Sequence, residues 1–324
     1  MRHSRILVVG GSGFIGSQVV SRLAADGRRA IVPTRRRERA RHLLPLPTVE
    51  VVEARVGEPG ALAALVAGCD AVINLVGVLH GRPGRGDEWG PDFDRAHVAL
   101  PAALVEACRA HGVRRLVHVS ALGVTDGGWY ALPSRYLRSK AAGEESVRRA
   151  ADLDWTILRP SVVFGAGDAF LNLFARLHRT LPVLAVARAD ARFQPVWVGD
   201  VAQAIANALD EPATHRRAFA LAGPEVFTLR ELVGLAGEWS GRRRPVIGLP
   251  AGPGRLVARL MELAPGEPLM TRDNLDSMSI DNVADGPIDP VLRVTPASLA
   301  AMGPVLYGRA AAERHDERRS RARR

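Results

Sequence analysis

The sequence has almost no lysine, very little cysteine and few aromatic residues. Its 324 residues include 44 Lys+Arg against 34 Asp+Glu, a net charge of +10, yet Lys140 is the only lysine. Two cysteines, Cys69 and Cys108, are too few for a disulfide framework or a cysteine-rich metal site, which favours a reducing compartment. Aromatic residues make up 5% and are not interleaved with the arginines, so we predict no nucleic-acid partner.

Long apolar stretches are missing as well. No segment approaches the roughly 18 uninterrupted apolar residues that a membrane-spanning helix needs, so we predict no transmembrane segment. The first residues lack the long apolar core of a signal peptide, which predicts a cytoplasmic protein. The nine histidines show no spacing typical of zinc ligands, so we predict no metal site.

The positive charge is concentrated at two places. Residues 309–324 contain seven arginines and three acidic residues, and a second group of arginines lies between Arg35 and Arg41. A solvated or disordered end is the simplest interpretation of the basic tail at 309–324. The alternative is attraction to an acidic partner or to anionic lipid, which would place the protein at the inner face of the cytoplasmic membrane.

Short apolar runs alternate with helical patterns over the first half of the chain, which predicts an α/β fold with a doubly wound parallel sheet. Prolines and glycines become frequent after Pro160, and the predicted elements there are shorter. We predict a first domain at 1–165, completed by 192–221. We predict a smaller C-terminal substrate or cap domain at 166–191 and 222–308, followed by the tail.

A glycine turn follows the first predicted strand. Gly10, Gly13 and Gly16 stand three apart, directly before a helical pattern. Glycine lets the backbone approach a pyrophosphate closely, and the N–H groups at the helix start then face that anion. In this context the turn predicts a dinucleotide-binding domain of the Rossmann type.

The end of the second predicted strand bears on which dinucleotide binds. A site that prefers NAD usually has an acidic residue there to hold the ribose hydroxyls. This chain has Thr34, Arg35 and Arg36 instead, and the planar, permanently charged guanidinium suits a phosphate monoester. We therefore predict NADP(H) in preference to NAD(H).

Three residues suggest oxidoreductase chemistry. Ser120 ends the fifth predicted strand, and Tyr136 and Lys140 lie four apart on the helix that follows, hence on one face. A cation beside a phenol favours the phenolate, so such a tyrosine can exchange a proton with a carbonyl or alcohol. The only lysine of the chain thus stands where this chemistry needs an ammonium.

The chain resembles the extended or atypical short-chain dehydrogenase/reductase family, which includes epimerase/dehydratase-like members. The residues that carry the resemblance are the glycine turn, Asn74–Gly77, the Ser120/Tyr136/Lys140 set, Arg159–Gly165 and Val198–Ala202. The resemblance implies cofactor contacts from Gly10, Ser12, Gly13, Phe14, Ile15, Gly16, Thr34, Arg35, Arg36, Leu75, Val76, Gly77, Tyr136, Lys140, Pro160 and Val163.

Within that family, the segments 136–141, 159–161 and 168–172 resemble the NAD(P)H-binding accessory subunit of respiratory complex I and its bacterial relatives. This implies a link to quinone metabolism, without an established turnover reaction. Two interpretations follow. One is a reductase or epimerase acting on the carbonyl or alcohol of a small molecule, either quinone-like or nucleotide-sugar-like. The other is a non-catalytic NADPH-binding accessory or assembly factor of a respiratory complex. Leu122 favours the second, because extended members usually carry a hydroxyl residue there.

Overall fold

The computed structural model describes residues 2–82, 84–85, 88–126, 128–263, 268 and 270–308. The predicted basic tail at 309–324 lies outside the described residues. The chain divides into two compact units. The first contains the residues up to 160 together with 198–221 and 286–295, and the second contains 161–197, 222–285 and the residues from 296 onward. The predicted smaller domain had included 286–295.

The strands of the two units are short, apart from those of the main sheet. In chain order they are β1 (Arg5–Val9), β2 (Arg29–Thr34), β3 (Val49–Glu53), β4 (Ala71–Asn74), β5 (Arg115–Val119), β6 (Asp154–Pro160), β7 (Val163–Phe164), β8 (Leu184–Ala187), β9 (Arg192–Phe193), β10 (Val196–Trp197), β11 (Arg217–Leu221), β12 (Phe227–Thr228) and β13 (Val246–Leu249).

The helices alternate with these strands through most of the chain. In order they are α1 (Phe14–Ala25), α2 (Ala61–Val66), α3 (Pro91–Phe93), α4 (Leu100–Ala110), α5 (Arg135–Arg148), α6 (Leu171–Thr180), α7 (Val198–Asp210), α8 (Leu229–Trp239), α9 (Ala251–Leu263), α10 (Arg272–Ser277) and α11 (Leu299–Tyr307). Among the described residues, none of these helices combines the length and apolar character needed to cross a bilayer.

The first unit is built on a seven-stranded parallel sheet. Its strand order is β3-β2-β1-β4-β5-β6-β11, and every neighbouring pair is parallel. The central strands β4 and β5 are buried along their whole length, and β1 is buried except at Arg5, as expected for a sheet with helices on both faces. The predicted α/β, doubly wound fold is confirmed. Since all strands run the same way, the segments that follow them gather at one edge of the sheet.

Two elements differ from what their sequence patterns predict. The apolar run Phe193–Val198 predicts one strand, but it is divided into β9 and β10, because Pro195 between them has no N–H for a sheet hydrogen bond. The helical pattern Leu100–His111 predicts a helix that begins at Leu100, but the helix starts at Pro91 and runs through a π-helical segment, Asp94–Ala99, into α4. A π segment adds a residue to the turn, so an apolar pattern with a period of 3.6 does not extend through it.

A buried arginine holds the N-terminal edge of this sheet. Arg115, at the start of β5, is 2% exposed and donates to the carbonyl of Leu209 (Nε to O, 3.0 Å) and to the hydroxyls of Thr156 (2.8 Å) and Thr214 (3.2 Å). It also donates to the carbonyls of Asp154 and Ala208. Burial lowers the pKa of the guanidinium to about 10. The side chain thus ties β5, β6 and the end of α7 together.

We expect Arg115→Met to lower the free energy of unfolding by about 3 kcal/mol or more, because it leaves several buried carbonyls and hydroxyls without a donor. Urea unfolding followed by circular dichroism measures the change. Arg114→Met is the matched control: this neighbour is exposed and only pairs with Asp154, so we expect a change below about 1 kcal/mol. Equal losses in the two variants would contradict the role given to Arg115.

Candidate active site at the sheet edge

The glycine turn after β1 is too crowded for side chains. Gly10 has φ +85°, and a Cβ there would lie 3.1 Å from the carbonyl carbon of Leu75, which follows β4. A Cβ on Gly16 would lie 2.2 Å from the carbonyl oxygen of Gly10. The turn therefore packs directly against the first turn of α1 and against the segment after β4.

The start of α1 presents backbone N–H groups. Its N-cap is Gly13, which has no side chain to accept from them, and its first turn carries no acidic residue. Ser12 precedes the cap, and Phe14 and Ile15 are the first two helical residues; all three are partly buried. The positive end of a helix dipole is thus available to an anion at this point.

The predicted arginines follow β2, the strand beside β1. Thr34 is buried, and its hydroxyl donates to the carbonyl oxygen of Arg36 at 3.0 Å, which shapes the turn. The side chains of Arg35 and Arg36 are exposed, and the described part of the chain gives neither an acidic partner. Both are therefore free to meet an anion at this edge of the sheet.

Lys140 connects the segment after β4 to the last residue of β5. Its side chain is buried, and its ammonium donates to the carbonyl oxygens of Val119 (3.2 Å) and Val76 (3.5 Å). A Cβ on Gly77 would lie 3.1 Å from Nζ. Burial lowers the pKa of Lys140 to about 8, although the carboxylate of Glu144 acts in the opposite direction. The α5 helix is thereby fixed to both strand ends.

A second buried group, His97, supports the tyrosine. It lies in the π segment, and its Nε2 accepts the N–H of Val78 at 3.0 Å. Its Nδ1 lies 2.8 Å from the hydroxyl of Ser139, which itself donates to the carbonyl of Tyr136 at 2.8 Å. These contacts assign the proton to Nδ1. Burial, and next the positive charge of Lys140, lower the pKa of His97 to about 2, so the ring is neutral.

Two aromatic side chains from α3 and the π segment contact the ring of Tyr136. His97 meets it edge-on, with 5.6 Å between ring centroids, and Phe93 meets it at 6.2 Å. Phe93 and His97 are stacked on each other at 5.4 Å. The segment from α3 through the π turn therefore orients the phenol on the helix face that it shares with Lys140.

Polar atoms lie beneath this edge in the otherwise apolar sheet. Ser120 is buried, and its Oγ has no hydrogen-bond partner among the described residues. Two residues earlier, His118 accepts from the carboxamide of Asn74 through Nδ1 at 3.1 Å, and its Nε2 is also buried without a partner in the described chain. Burial lowers the pKa of His118 to about 3. A buried donor without a partner indicates a missing ligand atom or water.

The last two predicted cofactor residues lie in different units. Pro160 ends β6 in the first unit, and its carbonyl accepts the N–H of Leu122 at 2.9 Å. Val163 lies in the second unit, where β7 pairs it with Val196. The other predicted residues all belong to the first unit and follow the strand ends described above. No group of three or more His, Cys, Asp or Glu suited to a metal ion occurs among the described residues.

A sequence profile of proteins described as NAD(P)H-binding matches residues 10–212, well over half of the chain. The chain belongs to this NAD(P)H-binding, short-chain dehydrogenase/epimerase-like family. The matched region contains the glycine turn, both arginines and the Ser120/Tyr136/Lys140 set. The predicted family is confirmed.

The NAD(P)H-binding chain has curated relatives with different names. It is 32% identical to the mitochondrial NADH dehydrogenase [ubiquinone] 1 alpha subcomplex subunit 9 of Rattus norvegicus, over 85% of this chain and 72% of the relative. It is also 32% identical to a ceramide reductase of Caulobacter vibrioides, over 78% of this chain and 75% of that one. The structure of MoeE5 with UDP-glucuronic acid and NAD has a similar fold, with TM-score 0.68, 21% identity and coverage of 96% and 100%.

The sequence patterns do not indicate every polar group at this edge of the sheet. They assign no role to His97 or His118, and they include Asn74 only within the motif Asn74–Gly77. For His118, the available signal was a histidine within an apolar strand pattern, where a charged ring would be costly. For His97 no pattern was available, because its position depends on the π turn.

We expect nicotinamide-nucleotide binding to weaken as pH rises through about 8. Burial lowers the pKa of Lys140, so its charge is present below this pH and is lost above it. Loss of a charged donor weakens a hydrogen bond to the nucleotide by about 1.4 kcal/mol, or roughly tenfold. Fluorescence titration with NADPH between pH 7 and 9.5 measures the effect.

Lys140→Arg is the control for this titration, since arginine stays charged throughout the range. The affinity of this variant for NADPH is expected to be lower than that of the unmodified chain but independent of pH. If the NADPH affinity of both proteins fell equally between pH 7 and 9.5, Lys140 would be excluded as the titrating group.

Proposed function

We propose that this chain is an NADP(H)-dependent oxidoreductase that acts on a carbonyl or alcohol of a small lipid-like or quinone-like molecule. The observation that carries the proposal is the buried Ser120 hydroxyl, which lacks a hydrogen-bond partner among the described residues. It lies next in sequence to Val119, whose carbonyl accepts from the Lys140 ammonium. A donor without a partner at this position suits the oxygen of a substrate carbonyl.

The residues fit a bound dinucleotide. The start of α1 has Gly13 as its N-cap, with no side chain to accept from its N–H groups and no acidic residue in the first turn, which suits a pyrophosphate. Lys140 offers an ammonium to ribose hydroxyls, next to Gly77, where any side chain would crowd it. When bound, the nicotinamide supplies a hydride to the substrate carbon.

The protein would supply the proton. In the reducing direction, Tyr136 donates its phenolic proton to the carbonyl oxygen while Ser120 donates a hydrogen bond to the same oxygen. The hydride at carbon and the proton at oxygen together give the alcohol. The tyrosine is left as a phenolate, which the ammonium of Lys140 on the same helix face stabilises.

A substrate assay with Tyr136→Phe tests this function. We expect the unmodified chain to oxidise NADPH with at least one of three acceptors: a short-tailed ubiquinone, a ceramide-type lipid or a nucleotide sugar. Tyr136→Phe should reduce turnover at least about a hundredfold, since general acid catalysis contributes about that much, and should still bind NADPH. Tyr130→Phe is the control, because Tyr130 is 80% exposed.

A second function, as an NADPH-binding accessory subunit, has its own support. Leu122 stands where related enzymes usually carry a hydroxyl residue, and one relative is by name a subunit of mitochondrial NADH dehydrogenase. In that case the protein would join a respiratory complex, and NADPH would act as a structural ligand. Tight NADPH binding without turnover of any of the three acceptors would favour this function and exclude the first.

We also propose that NADPH is preferred over NADH through Arg35 and Arg36. Replacing both by alanine should weaken NADPH binding by about tenfold or more, because charge-assisted contacts to the 2′-phosphate are lost. NADH binding should change less than about twofold. Titration calorimetry with each nucleotide measures both affinities.

The matched control for this pair is Arg39→Ala with Arg41→Ala. It removes the same charge from two exposed arginines of the following 3-10 segment, Arg37–Leu43. Equal losses of NADPH and NADH affinity in the Arg35/Arg36 variant would show that neither guanidinium meets the 2′-phosphate.

A further inference from the structure

Helix α9 of the second unit is packed through small residues. Ala258 is fully buried, and a Cβ on Gly254 would lie 2.6 Å from the Cβ of Ala187 in β8. Ala187 and Ala258 form a small apolar cluster with Leu275. Apart from these two small residues, no residue of the helix is fully buried. The inner face of α9 therefore uses little of the apolar area that the helix carries.

The outer face of the same helix carries its leucines. Leu256, Leu260 and Leu263 are 60%, 60% and 76% exposed. Their spacing of four and three places them on one side of the helix. A surface helix usually turns such a stripe toward the core. Among the described residues, nothing covers these leucines, and the reversed arrangement favours a contact with a partner surface.

The two-stranded sheet of the same unit carries further exposed apolar residues. In the β8–β13 pair, Ile247 lies opposite Ala185, and Ile247 is 53% exposed. Leu181 and Val183, in the segment before β8, are also exposed. We call the three exposed leucines of α9 the α9 surface. An apolar stripe that is exposed on a helix is typical of a protein or membrane contact.

Of the two arginines of α9, Arg255 pairs with Asp276 at 3.0 Å, and Arg259 is the one that remains available to an anion. Arg259 lies beside the leucines, is exposed and has no acidic partner in the described chain. Glu262, the one acidic residue of α9, is neutralised by Arg272, with Nε 2.9 Å from its carboxylate. Arg242 and Arg243 are exposed just before β13. Leucines beside unpaired arginines complement an apolar layer covered by anionic headgroups.

We propose that the α9 surface docks this protein onto an anionic lipid bilayer. The helix would lie in the plane of the interface, with its leucines among the acyl chains near the headgroups and its arginines at the phosphates. The lipid surface is favoured over a protein partner because the leucines stand on a convex helix with arginines alongside, and the only carboxylate of the helix is already paired. The proposal is independent of turnover at the NAD(P)H site.

Vesicle co-sedimentation of the full chain tests the proposal. We expect binding to vesicles of phosphatidylcholine with one quarter phosphatidylglycerol, and at least tenfold weaker binding to phosphatidylcholine alone or in 0.5 M salt. Replacing Leu256, Leu260 and Leu263 by serine should reduce binding to the anionic vesicles by at least about tenfold. Arg259→Gln should reduce it by about fivefold.

Val305→Ser is the control, since Val305 is 72% exposed on α11 of the same unit. It should leave vesicle binding unchanged, and NADPH titration of all variants verifies that they are folded. Unchanged binding of the triple serine variant would overturn the proposal and assign lipid binding to another segment. Equal binding to anionic vesicles and to vesicles of phosphatidylcholine alone would contradict the proposed attraction between arginines and anionic headgroups. A concentration-dependent dimer that the serine variant abolishes, without vesicle binding, would make α9 a contact between copies.

Discussion

A buried ammonium holds the site edge of the sheet together. Lys140 reaches from α5 to the carbonyl oxygens of Val119, which ends β5, and of Val76, which follows the neighbouring β4. Removing a charge from water is costly, so this position is stable only while those carbonyls and the nearby Glu144 carboxylate offset the desolvation. Gly77 leaves room for the ammonium, and its charge also acts on the ring of His97. The packing on this side of α5 therefore depends on one buried charge.

The same region carries two neutral histidines, and the two differ in role. His97 uses both ring nitrogens, so it fixes the backbone beneath Tyr136 and has no spare capacity for a ligand. His118 uses only Nδ1 and leaves Nε2 buried and unpartnered in the described chain. Both rings stay uncharged because burial opposes protonation and Lys140 is already positive nearby. The buried charge of Lys140 therefore disfavours a second positive charge on either of these two rings.

Much of the site could be predicted because its residues follow strand ends. The glycine turn, the arginines after β2 and the Ser120/Tyr136/Lys140 set depend on local spacing, which a sequence shows directly. His97 could not be predicted, since a π turn changes which residues face the site without altering composition. The break at Pro195 was missed because apolar residues on both sides continued the strand pattern. The exposure of the leucines on α9 could not be predicted either, since the sequence does not tell which side of a helix is covered.

The scarcity of lysine has a practical consequence. Lys140 is the only lysine in the 324 residues, so an amine-directed acylating reagent has one side-chain target in this sequence. Lys140 is 4% exposed, so the reagent reaches its amine only when the surrounding structure opens. The rate at which the reagent modifies it therefore measures how often α5 and the strand ends separate. Modification of Lys140 thus reports local opening where α5 contacts the ends of β4 and β5.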